Sequence, residues 1–225
     1  MAENLKFVEN NGFWNFFNNE AAPKLAHRER TFRKIFEYLD RIEGPISIVE
    51  TGCARLEGNW AGDGQSTLLF DKYISFRDEE SICFTVDINP LSVEACLGLV
   101  SSRVHVVEDD SVHFLSELVK KFQNEGQFIS FIYLDSFDLD MTYWQPSAIH
   151  HLKELVAVRV CMNAKTLLVV DDCPLNANLL PTDNNQMQII GSPSVGGKGR
   201  LVAEYADAVG AKLEFAEYQA GWTGF

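Results

Sequence analysis

Five apolar, β-rich runs recur at wide intervals along the chain: ISIVE (46–50), SICFTVDI (81–88), RVHVVE (103–108), FISFIYLD (128–135) and TLLVVDD (166–172). They are continuous rather than alternating, the pattern of strands covered on both faces. Between them, apolar residues fall at helical spacing from Ser66 to Ile74, Leu91 to Val100, Ser111 to Asn124 and Ser147 to Val160. The order β-α-β-α-β-α-β-α-β predicts the α/β class: a Rossmann-like, doubly wound, mostly parallel sheet flanked by helices, in one domain. Ahead of the sheet, Leu25, Phe32, Ile35, Phe36 and Leu39 suit an amphipathic helix between Lys24 and Ile42, ended by Gly44-Pro45. Residues 1–44 are therefore read as an N-terminal cap and helix, with 1–20 a loop or cap, and residues 45–225 as the main body. Residues 173–195 hold three prolines and many polar residues and read as a long loop, with QMQII as a short strand in it. Lys198 to Gly210 reads as a helix, and KLEFAEYQ with AGWTGF as a closing hairpin.

Charge narrows the partners. The chain of 225 residues carries a formal net charge of -13, which argues against nucleic acid held through its phosphates. A cationic small molecule is favoured by the same field. Cysteines stand at 53, 83, 96, 161 and 173, odd in number and without a C-x-x-C pair. That usage predicts reduced thiols rather than a disulfide framework or a zinc site. The first residues show no basic segment leading into an apolar one, and no apolar run reaches membrane-spanning length. The expectation is a cytoplasmic protein that takes a small molecule, not a membrane or nucleic acid, with a homo-oligomer left open.

The candidate chemistry lies where the runs end. In open α/β sheets, ligands bind beyond the carboxyl ends of the strands. Here those ends read Glu50-x-Gly52, Asp87, Asp109-Asp110-Ser111, Asp135-Ser136 and Asp171-Asp172. A single such acid is most often a helix cap; a converging series points to a site. Asp87 closes the second run, suited to accept hydrogen bonds from both hydroxyls of a ribose. The first turn, ETGCARLEGNWAGDGQST, lacks G-x-G-x-x-G. Asp87 lies too far from Gly52 for the usual spacing of about 20 residues, but close to it when counted from Gly64. The turn is therefore read as two-part, with the helix starting at Ser66.

The ordered series E-x-G…G-x-S-T, VDINP, EDDS, YLDS and VVDD resembles the motifs of class I S-adenosylmethionine-dependent methyltransferases, in particular small-molecule O-methyltransferases of the catechol and macrocin types. The resemblance covers residues 46 to 172. It implies that Glu50 and Gly52 face the methionine part of the cofactor, and that Gly64, Ser66 and Thr67 complete that wall. It places Asp87 on the ribose and Asp110 at the adenine edge, with Cys53, Ile88, Ser111, Asp135 and Ser136 as further cofactor contacts. In metal-dependent members similar strand-end acids bind a divalent ion, so Asp135, Asp171 and Asp172 become candidate ligands for Mg²⁺. The ion would hold the acceptor hydroxyl and lower its pKa. Asp135 and His151 are the candidate catalytic groups, the histidine as a base near neutral pH. His150 shares that helix, and Tyr143 and Trp144 precede it as candidate acceptor contacts. An NAD-dependent oxidoreductase is the rival on the same sheet, opposed by the missing fingerprint; a non-catalytic cofactor-binding module is the other alternative. GSPSVGGKGR is not a P-loop, because its spaced glycines are not followed by Lys and then Ser or Thr. It reads as a flexible lid or turn before a helix.

Overall fold

The computed structural model describes residues 11–184 and 186–225. It opens with helix α1 (Asn11–Phe16), which continues as a wider turn over Phe17–Ala21 and two tight turns over Ala22–Lys24 and Ala26–Arg28. Helix α2 (Glu29–Leu39) follows. The helix expected from Lys24 to Ile42 is thus shorter at both ends, with Pro23 in the first of the tight turns. Residues 11–21 are helical rather than a loop, because Phe13 and Phe17 need a buried face. Their rings meet Phe36, at 4.5 Å from Phe13 and 5.6 Å from Phe17, while Phe32 stacks on Tyr133 of the sheet at 5.9 Å. Such aromatic contacts add to area burial and bind the cap into the same core as the sheet. The part of the expected cap before residue 11 lies outside the described residues.

The main body runs β1 (Ser47–Thr51), α3 (Trp60–Asp63), α4 (Ser66–Ser75), β2 (Ile82–Asp87), α5 (Pro90–Leu99), β3 (Val104–Glu108), α6 (Ser111–Glu125), β4 (Phe131–Leu134), α7 (Gln145–Val158) and β5 (Leu167–Val170). A ribbon of β6 (Leu175–Pro181) and β7 (Met187–Val195) comes next, then α8 (Arg200–Val209), β8 (Lys212–Ala216) and β9 (Ala220–Thr223). Seven strands form one sheet in the order β3-β2-β1-β4-β5-β9-β8. The first five are parallel, and β9 runs antiparallel between β5 and β8. This is the predicted Rossmann-like, doubly wound α/β fold. The central strands are buried on both faces. Ile48, Phe131, Tyr133, Leu167 and Val169 face the layer of α2 and α4, while Val49, Ile132, Leu134, Leu168 and Val170 face the layer of α6, α7 and α8. The strand order reverses direction between β1 and β4, the switch point where a crevice opens beyond the strand ends.

Residues 173–195 are not a loop but mostly the β6–β7 ribbon, nearly all of it exposed. Its prolines hid it: Pro181 closes β6, and Pro193 lies in the irregularity between the Asn178–Ile190 and Asn176–Ser194 pairs. In a two-stranded ribbon every strand is an edge, so proline costs few ladder bonds. Among the described residues, no helix is long and apolar enough to cross a membrane. All five cysteines are free and buried.

Candidate functional site

The switch point is built from the first turn outward. Glu50, on β1, is fully buried. It accepts hydrogen bonds from Ser66 Oγ at 2.6 Å, Thr67 Oγ1 at 2.6 Å and Thr85 Oγ1 at 2.7 Å. Burial pushes its carboxyl up to about 7, against the pull of those three hydroxyls. The expectation that Glu50 faces a cofactor is therefore corrected: it ties the start of α4 to β1 and β2 from beneath. Thr67 is fully buried as well and also accepts from Ala54 N at 2.9 Å. Gly64 packs against Arg28 and Phe32, with φ +67° in the left-handed region that turns the chain into α4. Gly52 has φ +80°, and a Cβ there would stand 2.6 Å from the Asp135 carbonyl oxygen. Only a bare backbone lets the loops after β1 and β4 approach this closely. The segment 53–63 is held across the crevice by Arg55, which pairs with Asp63 at 3.3 Å and Asp138 at 3.2 Å.

Two cavities open beyond these strand ends and share Asp87 and Ser136. The larger, about 280 Å³, is lined by Ile88, Asp110, Ser111, Phe137 and His150 besides the shared pair. The smaller, about 50 Å³, reaches Gly52, Cys53, Ser66, Asp135, Asp172 and Lys198. Asp87 is anchored by its neighbours: Oδ1 accepts from Asn89 N at 2.8 Å and Oδ2 from Cys53 N at 3.4 Å. Asp110 caps α6 through His113 N at 3.0 Å and also lines the larger cavity. Ser111 Oγ meets His150 Nε2 at 2.9 Å, and Ser136 Oγ donates to Glu154 Oε1 at 2.6 Å. Glu154, a buried acid on α7 with no strand end beside it, gave no signal in the sequence that it would anchor Ser136. The Cys53 thiol is raised by a hydrogen bond with Cys96 and by burial, an unreactive state.

The remaining strand-end acids do not make a metal site. Asp171 accepts from Arg28 Nε at 2.9 Å, and Asp172 takes Arg28 Nη2 at 3.2 Å and Lys198 Nζ at 3.0 Å. Lys198 also pairs with Asp135. A hard divalent ion needs these oxygens for itself, at 2.0–2.6 Å. Here the protein's own cations hold them, and among the described residues no cluster of His, Cys, Asp or Glu is arranged to bind a metal. Sequence reading missed both cations: Arg28 lies in the cap, more than a hundred residues from its partners, and Lys198 lies in the segment read as a flexible lid.

His151 is also placed away from both cavities. It is fully buried, its Nδ1 lies 2.7 Å from Ser147 O, and its Nε2 has no hydrogen-bond partner among the described residues. Burial lowers its pKa to about 4 despite Glu154 nearby. A base must reach its proton, and this ring faces the protein interior. Its neighbour His150 is the one that lines a cavity. Tyr143 is exposed and Trp144 lies under Arg200; neither borders these two cavities.

No protein-family model matches the chain, and no curated protein matches it in sequence. Among solved structures, the fold is similar to that of a SAM-dependent methyltransferase from Anabaena variabilis, with 10% identity over 77% of this chain and 66% of that one and a TM-score of 0.43. The chain thus spans about two thirds of that protein's length. DhpI in its complex with SAH is similar at 13% identity, covering 99% of this chain and 98% of that one, with a TM-score of 0.46. The glycopeptide N-methyltransferase MtfA, complexed with S-adenosyl-L-methionine, is similar at 9% identity over 91% and 94% of the two chains, with a TM-score of 0.45.

Proposed function

We propose that the chain is an S-adenosylmethionine-dependent methyltransferase that methylates a hydroxyl oxygen of a small-molecule acceptor. The observation that carries this reading is Asp87, anchored at the end of β2 where the two cavities meet. A ribose on Asp87 would place adenine in the larger cavity against Asp110 and Ser111, and the amino-acid and sulfonium portion in the smaller. The same geometry disfavours a dinucleotide. A pyrophosphate is held by backbone N–H groups at a helix start, and here the Glu50 carboxyl is hydrogen-bonded to Ser66 and Thr67 at the start of α4, an acidic group close to where the phosphates would lie. A sulfonium cation is a better neighbour for this acidic turn than a phosphate.

Arg28 from the cap and Lys198 from the segment before α8 line the smaller cavity, so the acceptor would enter between them. Asp135 is the proposed base. As the acceptor oxygen attacks the methyl group in line, S-adenosylhomocysteine leaves and the hydroxyl proton passes to Asp135. Positioning supplies much of the acceleration in such a transfer. No step is assigned to a divalent ion, because the carboxylates it would need are already paired.

Calorimetry tests the reading. S-adenosylhomocysteine should bind and NAD should not. Asp87→Ala should weaken that binding roughly 10- to 100-fold, the loss of a charge-assisted hydrogen bond or two. Binding of NAD alone, or unchanged affinity in the variant, would reject it.

A further inference from the structure

The segment GSPSVGGKGR lines the smaller cavity only through Lys198, yet its glycines are under tight constraint. Val195 to Gly199 are all buried. A Cβ on Gly196 would stand 2.5 Å from Pro174 O, one on Gly197 would strike Asp172 O, and one on Gly199 would strike Cys173 Sγ. Gly197 also has φ +52°. Three bare backbones thus press against residues 172–174, and Lys198 N donates to Asp172 O at 3.1 Å. The outcome is a lysine only 1% exposed, aimed at the ends of β4 and β5. Its ammonium pairs with Asp135 and with Asp172, the latter at 3.0 Å. Burial works against its charge, but Asp135, Asp172 and Asp171 outweigh burial and raise its pKa above the ordinary lysine value.

We propose that Lys198 is a built-in replacement for a divalent cation: seated by the Gly196–Gly199 loop between Asp135 and Asp172, its ammonium is the positive group that faces the acceptor, and it makes the site indifferent to metal ions. Arg28 completes the substitution by holding Asp171 and the other side of Asp172. The charge reasoning is simple. Buried carboxylates require a counter-charge, and a cluster satisfied by a fixed ammonium has no free oxygens for an ion that demands several. The acceptor-facing role rests on the methyl-transfer reading, whereas metal exclusion stands without it.

The test is a Mn²⁺ titration of the full chain, followed by equilibrium dialysis and by thermal shift, with wild type beside Lys198→Ala and Lys198→Arg. Wild type should retain no Mn²⁺ and show no shift. Lys198→Ala removes the ammonium from between two carboxylates, so it should gain one saturable Mn²⁺ site. At tenfold its Kd the ion should raise the melting temperature by roughly 3–6 °C. Lys198→Arg keeps the charge and should gain none. Stoichiometric Mn²⁺ on the wild type, lost in Asp135→Asn, would overturn the proposal. So would a folded Lys198→Ala that takes up no Mn²⁺. If Lys198→Ala does not fold even with Mn²⁺ present, wild-type dialysis decides: retained ion overturns the proposal and absent ion upholds it. Calorimetry with S-adenosylhomocysteine on the same wild-type sample reports separately on the cofactor reading.

Discussion

Glu50 and His151 show how one buried side chain ties local chemistry to the stability of the whole. Glu50 has a carboxyl raised from 4.5 to about 7 by burial. The folded state therefore binds its proton more tightly than the unfolded state does. Its contribution to stability is greatest below about pH 4.5 and is lost as pH rises through about 7, up to about 3 kcal/mol in all. Glu50→Gln carries no such titration. Denaturant unfolding at pH 5 and pH 8 should show the variant gaining on wild type by up to that amount at the higher pH; parallel behaviour of the two would refute the assignment. His151, lowered from 6.5 to about 4, works in the opposite sense. Its neutral form is the folded one, so stability falls as pH drops from about 6.5 to about 4. The two slopes oppose each other in wild type, and His151→Asn should steepen the Glu50 slope between pH 5 and pH 6.5 in the same unfolding series. Neither effect was visible in sequence. The letters E and H at a strand end and on a helix carry no information on burial, which sets the size and sign of both shifts.

At the scale of elements, the turns carry the strictest demands. Gly52 combines φ +80° with a Cβ position 2.6 Å from the Asp135 carbonyl. Gly52→Ala should cost about 1–2 kcal/mol from the backbone alone, and more from the forced separation of the β1 and β4 loops. A lower melting temperature with weakened S-adenosylhomocysteine binding is the expected result; a variant as stable as wild type would contradict the close approach. Here the sequence was readable, because a glycine directly after a buried run is a strong signal of a tight turn. The Gly196–Gly199 loop carried the same letters and was misread as mobile. Its glycines serve close packing, and only the facing segment of residues 172–174 distinguishes that use from mobility. Of the β6–β7 ribbon only the short strand at QMQII was foreseen, for a related reason. Strand signals rest on burial, and both of its faces are largely exposed.

The whole molecule carries a net charge of -13, and its site adds acids around the crevice proposed to hold a sulfonium. S-adenosylmethionine bears one more positive charge than S-adenosylhomocysteine. If the acidic field contributes to binding, raising the salt from 0.05 M to 0.5 M should weaken the first ligand more than the second, since exposed charges are screened over the Debye length while buried contacts are not. Calorimetry at the two salt concentrations checks this, and equal salt slopes would remove long-range attraction from the account.

Continuous apolar runs separated by helical periods were enough to determine the α/β class, the five parallel strands and the edge on which the two cavities open. These follow from burial periodicity, which is local and written in residue order. The place of Asp87, at the end of β2 where two cavities meet, was legible for the same reason, as an acid that ends a strand. What only the folded chain decided was how the acids are used. Glu50 turned inward to three hydroxyls, and Asp135, Asp171 and Asp172 met Arg28 and Lys198 instead of leaving their oxygens free. The Arg28–Asp171 and Lys198–Asp135 pairings join residues more than sixty positions apart, through a cap and a loop whose apolar pattern names no partner. Charge balance inside a protein is a property of three-dimensional neighbourhoods, and a carboxylate's role changes entirely with the cation that reaches it first.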